Sequence, residues 1–474
     1  MGWWAKLSNT IRDLFALNKS IQETFGVKIA ISSTMQNKQD EWRRLVAGAS
    51  GWNDKDTPSL LLADTISSEI ASRAALGLKC EVTGSPRADF INEQIKPEID
   101  TLQYTVQAVC NNGEAIYKPY SNNDKIKVTL VETDSYWAVG YNTEQELIDV
   151  IFGAVYQTDK FIYRLLERHK YDSQAKTHTI EYRAFKAVHD GLTFTPENLG
   201  KRVELSEVPD WANLYDMTIN GLDKPLFVVI KAPPTKQYEK PQRQGVPIWS
   251  KAADAGLFRK ADKHEARTEW EFEGGELAIH ADDSMFKRNK SGNLVLPKGK
   301  ERLYRGVQGG GADDTKPLDV FNPEPRIETY KIRKNELRRD IELSCGLSYG
   351  ILSDNNLVEK TAQEFKASKE RLITTISGMQ IDTMQPALEH LIESYNVLAD
   401  LQGIPQGNCE NKFEWSESYA LEREDEVNER LKLQSAGVLF PDEVRAFYNE
   451  VELEVAQQDF ADRGIPLVAT PTEF

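Results

Sequence analysis

The segment GNLVLPKGKE, residues 292–301, is a candidate phosphate-binding loop. A nucleotide-binding P-loop follows the pattern GxxxxGK[ST], in which backbone amides surround the phosphates and the last hydroxyl reaches magnesium. Here six residues separate the two glycines, and Glu301 replaces the hydroxyl, which would bring a repelling charge to the phosphate. The segment therefore predicts a β-turn and not a nucleotide site.

The histidine and aspartate residues form no metal-binding or catalytic pattern. The segment HEART at 264–268 lacks the second histidine of HExxH, and no two of the six histidines are four residues apart. The pairs Asp282-Asp283 and Asp313-Asp314 could hold magnesium for phosphoryl chemistry, but polar segments of this kind are typical of solvated turns. No GxSxG nucleophile pattern is present. We expect no enzyme activity, no metal, no cofactor, and histidines that lie at the surface or are hydrogen-bonded internally.

A polar loop is the strongest functional candidate. Residues 346–364 read GLSYGILSDNNLVEKTAQE, with a helical pattern on either side. Irregular loops longer than about twelve residues are uncommon in compact domains and tend to be functional or disordered. Thr361 and Glu364 form a T-x-x-E capping box, so the next helix should begin near Thr361. We expect a mobile loop of roughly fifteen residues between two helices.

The overall charge limits how the chain could handle nucleic acid. The 474 residues carry 58 Lys+Arg against 74 Asp+Glu, a net charge of −16. Non-specific DNA binding depends on neutralising phosphates with a basic surface. The chain therefore either does not interact with nucleic acid or interacts with it without binding it tightly. No apolar run approaches eighteen residues, so we expect no transmembrane span and no membrane partner.

The periodicity along the chain predicts an α+β protein of two or more domains. Eleven of the nineteen residues in 324–342 are charged, so that helix should show most of its surface to water or polar neighbours. Pro386 should kink or break the helix that follows the loop. The predicted elements are helices over 58–80 and 87–111, strands within 114–187, irregular chain over 188–245, a small-residue-rich helix over 248–272, short strands within 274–322, a helix restarting at 322–325, a helix from 361, and helices within 419–460.

The ordered series of segments resembles the portal proteins of tailed double-stranded DNA bacteriophages, closest to those of siphophages of Gram-positive hosts. The resemblance runs over roughly 60–450. The segments that carry it are VQAVCNNGEAIYKPY, GVPIWSKAADAGLFRKADKHEARTEWEF, FNPEPRIETYKIRKNELRRDIELSCGLSYG, GLSYGILSDNNLVEKTAQEFKASKERL and FEWSESYALEREDEVNERLKLQSAGVL.

The resemblance implies an α+β portal fold with a mixed α/β wing, a two-helix stem, a small α/β clip inserted between the stem helices, a tunnel loop and a short helical C-terminal crown. The implied domains are the wing with its N-terminal arm at 1–245, stem helix 1 at 246–273, the clip at 274–322, stem helix 2 at 323–345, the tunnel loop at 346–360, the long wing helix and return segment at 361–430, and the crown and C-terminal tail at 431–474.

The resemblance also implies a function. Portals are dodecameric rings at one capsid vertex, through which DNA is packaged and ejected. The implied partners are other copies of the chain, the major capsid protein, the scaffolding protein, the terminase large subunit, the head–tail adaptor and double-stranded DNA. We expect the protein to be assembled in the host cytoplasm and to reside in the virion. The implied channel residues are Tyr349, Ser353, Asp354, Asn355, Asn356 and Lys360 in the tunnel loop and Lys331, Lys334 and Arg338 on the stem.

Alternatives remain open from the residues. The basic cluster at 331–339 could form salt bridges to interleaved glutamates and neighbouring subunits instead of contacting phosphate. The loop could be a mobile connector. The chain as a whole could be a scaffold or adaptor protein of a virion that has no channel, and a nuclease acting through the aspartate pairs is a more remote alternative.

Overall fold

The structure is a computed structural model, and the chain forms two compact units. The first comprises Met1–Ala75 and Cys80–Lys412, and the second comprises Leu76–Lys79 and Phe413–Phe474. The residues that the structure describes are 18–122, 125–188, 199–274, 278–282, 287–289, 294–295, 304–307, 318–321, 326–354, 362–415, 430–435, 439–449 and 456–458.

Helices and strands are both abundant, so the α+β prediction is confirmed. The helices are α1 (Ser33–Val46), α2 (Leu62–Ala75), α3 (Pro86–Asp100), α4 (Leu102–Asn112), α5 (Ser250–Asp254), α6 (Leu257–Gly274), α7 (Ile327–Cys345), α8 (Ala362–Ser377), α9 (Gln385–Leu401) and α10 (Pro441–Asn449). The strands are β1 (Lys79–Thr83), β2 (Glu114–Asn122), β3 (Lys125–Glu132), β4 (Tyr136–Tyr141), β5 (Leu147–Gln157), β6 (Phe161–Asp172), β7 (Thr177–Val188), β8 (Lys201–Val203), β9 (Met217–Asn220), β10 (Val228–Lys231), β11 (Ala278–Asp282), β12 (Lys287–Arg288), β13 (Leu294–Val295), β14 (Tyr304–Val307), β15 (Leu318–Phe321) and β16 (Glu410–Glu414).

Two antiparallel sheets occupy the region predicted to be β-rich. The larger follows the order β4-β5-β6-β7-β8, and β9 pairs with the far end of β7. The smaller follows the order β10-β2-β3. Strands β2 to β7 lie almost wholly within 114–187, so the predicted β region is confirmed.

One apolar cluster joins the two sheets. Ile116 on β2, Phe152 on β5 and Phe227 beside β10 are buried together. The rings of Phe152 and Phe227 meet edge to face, with centroids 6.2 Å apart. Each such buried side chain contributes roughly 1.5–3 kcal/mol relative to its exposed form. The packing therefore fixes β2, and with it the polar side chains of β2, against the larger sheet.

The helical segment predicted over 87–111 is two helices. α3 ends at Asp100, and the non-helical Thr101 (φ −102°, ψ 11°) separates it from α4. Ser85 caps α3 by accepting a hydrogen bond from the Ala88 N–H at 3.2 Å, and Pro86 occupies the first turn, where its missing N–H has no consequence. The division corrects the expectation of one continuous helix.

The small-residue-rich helix predicted over 248–272 is also divided. α5 ends at Asp254 and α6 begins at Leu257. Gly256 between them has φ +67°, in the left-handed region that a helix interior excludes and that glycine enters without steric cost. The chain therefore turns before α6, and α6 alone corresponds to the predicted first stem helix.

Most of the described residues between α6 and α7 lie in strands. β11 pairs in parallel with β14 and antiparallel with β15, and β12 pairs antiparallel with β13. The short strands predicted within 274–322 are confirmed where the structure describes them.

Pro386 neither breaks nor ends the helical path that follows the loop. Residues Gly378–Met384 form a π-helical segment between α8 and α9, and Pro386 lies in the first turn of α9. The N–H of Gln385 donates to the carbonyl of Gln380, five residues back. Widening the turn in this way accommodates a residue that has no N–H to donate.

The second unit contributes α10, which begins at Pro441 within the helical region predicted at 419–460, and residues 430–435 are also helical. The Glu443 carboxylate accepts a hydrogen bond from the Phe440 N–H at 2.7 Å, at the helix N-terminus. Among the helices that the structure describes, none combines the length and apolarity needed to cross a membrane.

Candidate functional site

The helices α6 and α7 form an antiparallel pair that leads into the candidate loop. Polar contacts join them along their length. Arg326 donates two hydrogen bonds to the Glu271 carboxylate, at 2.9 and 2.7 Å, and the Lys334 ammonium lies 2.8 Å from the Glu265 carboxylate. The hydrogen bond from the Arg326 guanidinium lowers the pKa of Glu271 to about 2. The pair is thus held in register by complementary charges.

Apolar packing supports the same pair at the end nearest the loop. The side chains of Phe258 and Ala261 on α6 and of Leu337 and Ile341 on α7 are all buried. This apolar stripe is narrow because most of α7 is charged, as the sequence predicts. Outside this apolar stripe, the contacts of α7 are therefore made mainly by its charged side chains.

The basic side chains of α7 mostly have partners within the chain. Lys331 lies 3.0 Å from Glu328 and Arg333 lies 2.9 Å from Glu336, in pairs that are exposed. Arg338 donates to the Leu352 carbonyl at 3.1 Å. Exposed pairs of this kind contribute at most about 1 kcal/mol, so Lys331 could exchange its partner readily. For the basic cluster at 331–339, these contacts favour bonding within the chain over contact with DNA phosphates.

Gly346 ends α7 and starts the loop. Its φ of +74° is left-handed, and an added Cβ would lie 2.4 Å from Thr375 Oγ1 of α8. The Thr375 hydroxyl donates to the Gly346 carbonyl at 3.0 Å, and the next residue, Leu347, is buried. A larger residue would have to adopt an unfavourable φ and displace the Thr375 hydroxyl, so the site favours glycine.

Glu342, near the end of α7, organises the first part of the loop. Its side chain is 0% exposed. Oε1 accepts hydrogen bonds from the backbone N–H groups of Gly350 at 3.1 Å, Leu352 at 2.6 Å and Ser353 at 2.9 Å. Oε2 accepts from the Ser353 hydroxyl at 2.7 Å. Four donors from one short turn therefore satisfy a buried carboxylate.

Asn335 and Arg338 hold the same turn from the same side of α7. The buried Asn335 side chain accepts from the Asp354 N–H at 2.7 Å and donates to the Asp354 carbonyl at 3.1 Å. Positions 335, 338 and 342 follow the i, i+3, i+7 spacing of one helical face. We call Asn335, Arg338 and Glu342 the latch face of α7.

Tyr349 lies between two guanidinium groups. The Arg339 carbon Cζ is 4.7 Å from the centre of the Tyr349 ring, and that of Arg371 on α8 is 5.5 Å away. The Tyr349 N–H donates to the buried Ser368 hydroxyl at 2.6 Å. Such cation–π contacts add roughly 0.5–2 kcal/mol. The loop is thereby attached to α8 as well as to α7.

The predicted tunnel-loop residues differ in their placement. Tyr349 is half-buried and Asp354 is exposed. Ser353 is buried and bonded to Glu342, so its hydroxyl serves the turn itself and is turned away from solvent. Asn355, Asn356, Lys360 and the capping box at Thr361 and Glu364 lie outside the residues whose side chains the structure describes. The expectation of a loop mobile along its whole length is corrected for 346–354, whose backbone is hydrogen-bonded to both flanking helices.

A second buried polar cluster lies on strands β2, β6 and β7 and was not recognised from the sequence. The ammonium of Lys118 on β2 contacts Glu167 on β6. The other oxygen of Glu167 lies 2.8 Å from His169 Nε2, and His169 Nδ1 lies 2.9 Å from Nε2 of His178 on β7. The hydroxyl of Tyr182 also donates to Glu167, at 3.3 Å. The histidines are nine residues apart in the chain, so only the register of β6 on β7 brings them together.

The charges in this cluster on β2, β6 and β7 shift the pKa values of its members. Burial by itself raises the pKa of Glu167, but the Lys118 ammonium and the hydrogen bond with His169 outweigh it and hold that pKa well below its usual range. Burial, and then His169, lower the pKa of His178 well below 6.5. The cluster therefore holds an ionised carboxylate and a neutral histidine. Among the described residues, no group of three or more His, Cys, Asp and Glu side chains is arranged to bind a metal ion.

Comparison with known proteins adds a distant structural likeness. No protein-family model and no curated protein matches this chain. A chain from the neck of a native GTA particle, computed with C12 symmetry, is similar over 90% of this chain and 99% of that chain. The two sequences are 14% identical in this alignment, and the TM-score is 0.38. At that score the likeness decides neither fold nor function.

Proposed function

We propose that this chain is the portal protein of a tailed double-stranded DNA bacteriophage, of the kind found in siphophages of Gram-positive hosts. Twelve copies form a ring at one capsid vertex, and double-stranded DNA passes through its axial channel during packaging and ejection. The ring contacts the major capsid protein and the scaffolding protein during assembly in the host cytoplasm. It binds the terminase large subunit first and the head–tail adaptor afterwards, and it remains in the virion.

The observation that carries this proposal is the order of α6, the inserted strands, α7, the anchored loop and α8. The proposal assigns α6 and α7 to the stem, β11 to β15 to the clip and the loop after Cys345 to the channel. Complementary charges at Arg326–Glu271 and Lys334–Glu265 support a stem that withstands load along its axis.

Exposed apolar side chains on the same two helices support an assembly of several copies. Trp270 and Phe272 on α6 are 66% and 48% exposed, and Ile332 and Leu343 on α7 are both 53% exposed. Large apolar side chains exposed on paired helices are typical of surfaces that a partner covers. In the proposed ring, neighbouring copies of the same helices cover them.

The acidic composition supports passage of DNA instead of retention on the channel wall. Twelve copies of a chain with net charge −16 carry −192 in total. DNA carries one negative charge per about 1.7 Å of its axis, and a like-charged ring resists adhesion. The Lys334 side chain is bonded to Glu265 and the Arg338 side chain to the Leu352 carbonyl. These contacts make both side chains less available to bind DNA phosphates.

Electron microscopy of the purified full-length chain tests the proposal. End-on views should show rings of about twelve subunits with a central hole wide enough for duplex DNA. A matched variant, Ile332→Glu with Leu343→Glu, should shift the population toward monomers because both positions are exposed apolar side chains of α7. Closed dimers or monomers of the wild-type chain at high concentration would favour the scaffold or adaptor alternative.

A further inference from the structure

The latch face of α7 contains a buried carboxylate whose described partners are all uncharged. Glu342 is fully buried, and the groups described within hydrogen-bond distance of it are three backbone N–H groups and the Ser353 hydroxyl. A buried carboxylate costs several kcal/mol to desolvate, and an apolar residue of similar volume is often equally stable or more so. Stability alone therefore does not account for a glutamate at this position.

The Glu342 carboxylate instead fixes one backbone conformation of residues 350–353. Three N–H groups converge on one oxygen only when residues 350–353 take one particular turn. Asn335 then binds both backbone groups of Asp354, and Arg338 binds the Leu352 carbonyl. An alternative path would leave the buried carboxylate without its hydrogen-bond donors, which is strongly unfavourable. The latch face thus defines both the position and the direction of the chain as far as Asp354.

We propose that Glu342 is a positioning residue for the DNA channel. It fixes the start of the channel loop to α7, so that the loop keeps one orientation while the duplex moves past it. This inference rests on the proposed portal function. Glu342 does not contact DNA in this account, and it acts through the turn at residues 350–354.

The first test measures the latch independently of any function. Hydrogen exchange of the peptide covering 346–354 is compared in full-length wild type, Glu342→Gln and Glu336→Gln. Glu336 is the matched control, because it lies on the same helix and bonds only to the exposed Arg333 among the described residues. Weakening charge-assisted hydrogen bonds should accelerate exchange of the Gly350, Leu352 and Ser353 amides by roughly tenfold or more in Glu342→Gln. Unchanged exchange there would overturn the latch, whatever the protein does.

The second test measures the consequence in virions that carry the same variants. Glu342→Gln should assemble rings as wild type does but retain less packaged DNA, whereas Glu336→Gln should retain the wild-type amount. Faster exchange in Glu342→Gln with wild-type DNA retention would overturn the positioning role and leave the portal function standing. Failure of the wild-type chain to form rings would overturn the portal function instead, and the exchange result would still report on the latch.

A milder variant covers the case in which Glu342→Gln does not fold. Ser353→Ala removes one of the four donors and leaves the three backbone bonds to Glu342 in place. It should give a smaller acceleration of exchange at 350–353 and a smaller loss of retained DNA. Wild-type values for both measurements in Ser353→Ala, together with misfolding of Glu342→Gln, would assign Glu342 to folding alone and overturn the proposal.

Discussion

Replacing Lys118 by Met tests whether the buried polar cluster on β2, β6 and β7 is held together by charge. The Lys118 ammonium contacts Glu167, whose side chain is 12% exposed, while the Lys118 side chain is 17% exposed. Glu167 also bonds to His169 and Tyr182. Lys118 is the lysine whose ammonium forms an ion pair with Glu167 among the described residues. The variant therefore leaves the Glu167 carboxylate buried without its ammonium partner.

The expected loss follows from the burial of the pair. Removing one partner of a buried ion pair typically costs 3–5 kcal/mol, and partial exposure of both groups places this pair at the lower end, about 3 kcal/mol. The double variant Lys118→Met with Glu167→Gln should recover about 1–2 kcal/mol of this, because no uncompensated charge is then buried. Lys170→Met, at an exposed position of β6, should change the free energy of unfolding by less than about 0.5 kcal/mol.

Urea denaturation followed by tryptophan fluorescence measures these differences through the transition midpoints. The reasoning would be refuted if Lys118→Met were as stable as Lys170→Met. It would also be refuted if the double variant were less stable than Lys118→Met alone. The Glu167 carboxylate would then not destabilise the folded chain in the absence of Lys118.

Two further predictions concern pH and the start of the loop. The pKa of the buried His178 and that of the half-buried His390 are both lowered, so the unfolded chain gains protons near pH 6.5 while the folded chain does not. The free energy of unfolding should therefore fall as the pH drops below about 6.5. In urea denaturation between pH 5 and 7, His178→Asn should reduce the dependence of this free energy on pH. An unchanged pH dependence would contradict the role of the buried neutral His178. Gly346→Ala should lower the free energy of unfolding by roughly 2–4 kcal/mol, because the added methyl group meets the Thr375 hydroxyl and the φ is unfavourable for alanine. Gly403 has a similar φ of +73° but open space around it, so Gly403→Ala should lower the free energy of unfolding by only about 1 kcal/mol. Thermal denaturation of the two glycine variants compares them directly, and equal losses would show that the contact with Thr375 is unimportant.

The features that depend on local pattern could be predicted from the sequence. The β-rich region, the end of α7 at a glycine and the start of α10 at Pro441 all follow from residue type and spacing within a few positions. The pairing of basic side chains with nearby glutamates on α7 was one of the two alternatives, and the contacts of Lys331 and Arg333 correspond to it.

The features that depend on tertiary contacts could not be predicted. Glu342 is one of many charged residues on α7, and nothing in its local sequence distinguishes it from the exposed Glu336. Its burial depends on the return of residues 350–353 over the helix. A useful signal would have been the i, i+3, i+7 spacing of Asn335, Arg338 and Glu342 immediately before a glycine-containing loop. The same holds for His169 and His178, which only strand register brings into contact.

The measurement that tests the central claim most directly is negative-stain electron microscopy of the purified full-length chain, with subunits counted in end-on views. The account predicts rings of about twelve subunits around an open hole that admits a DNA duplex. Particles without a central hole, or monomers and closed dimers at every concentration tested, would contradict it.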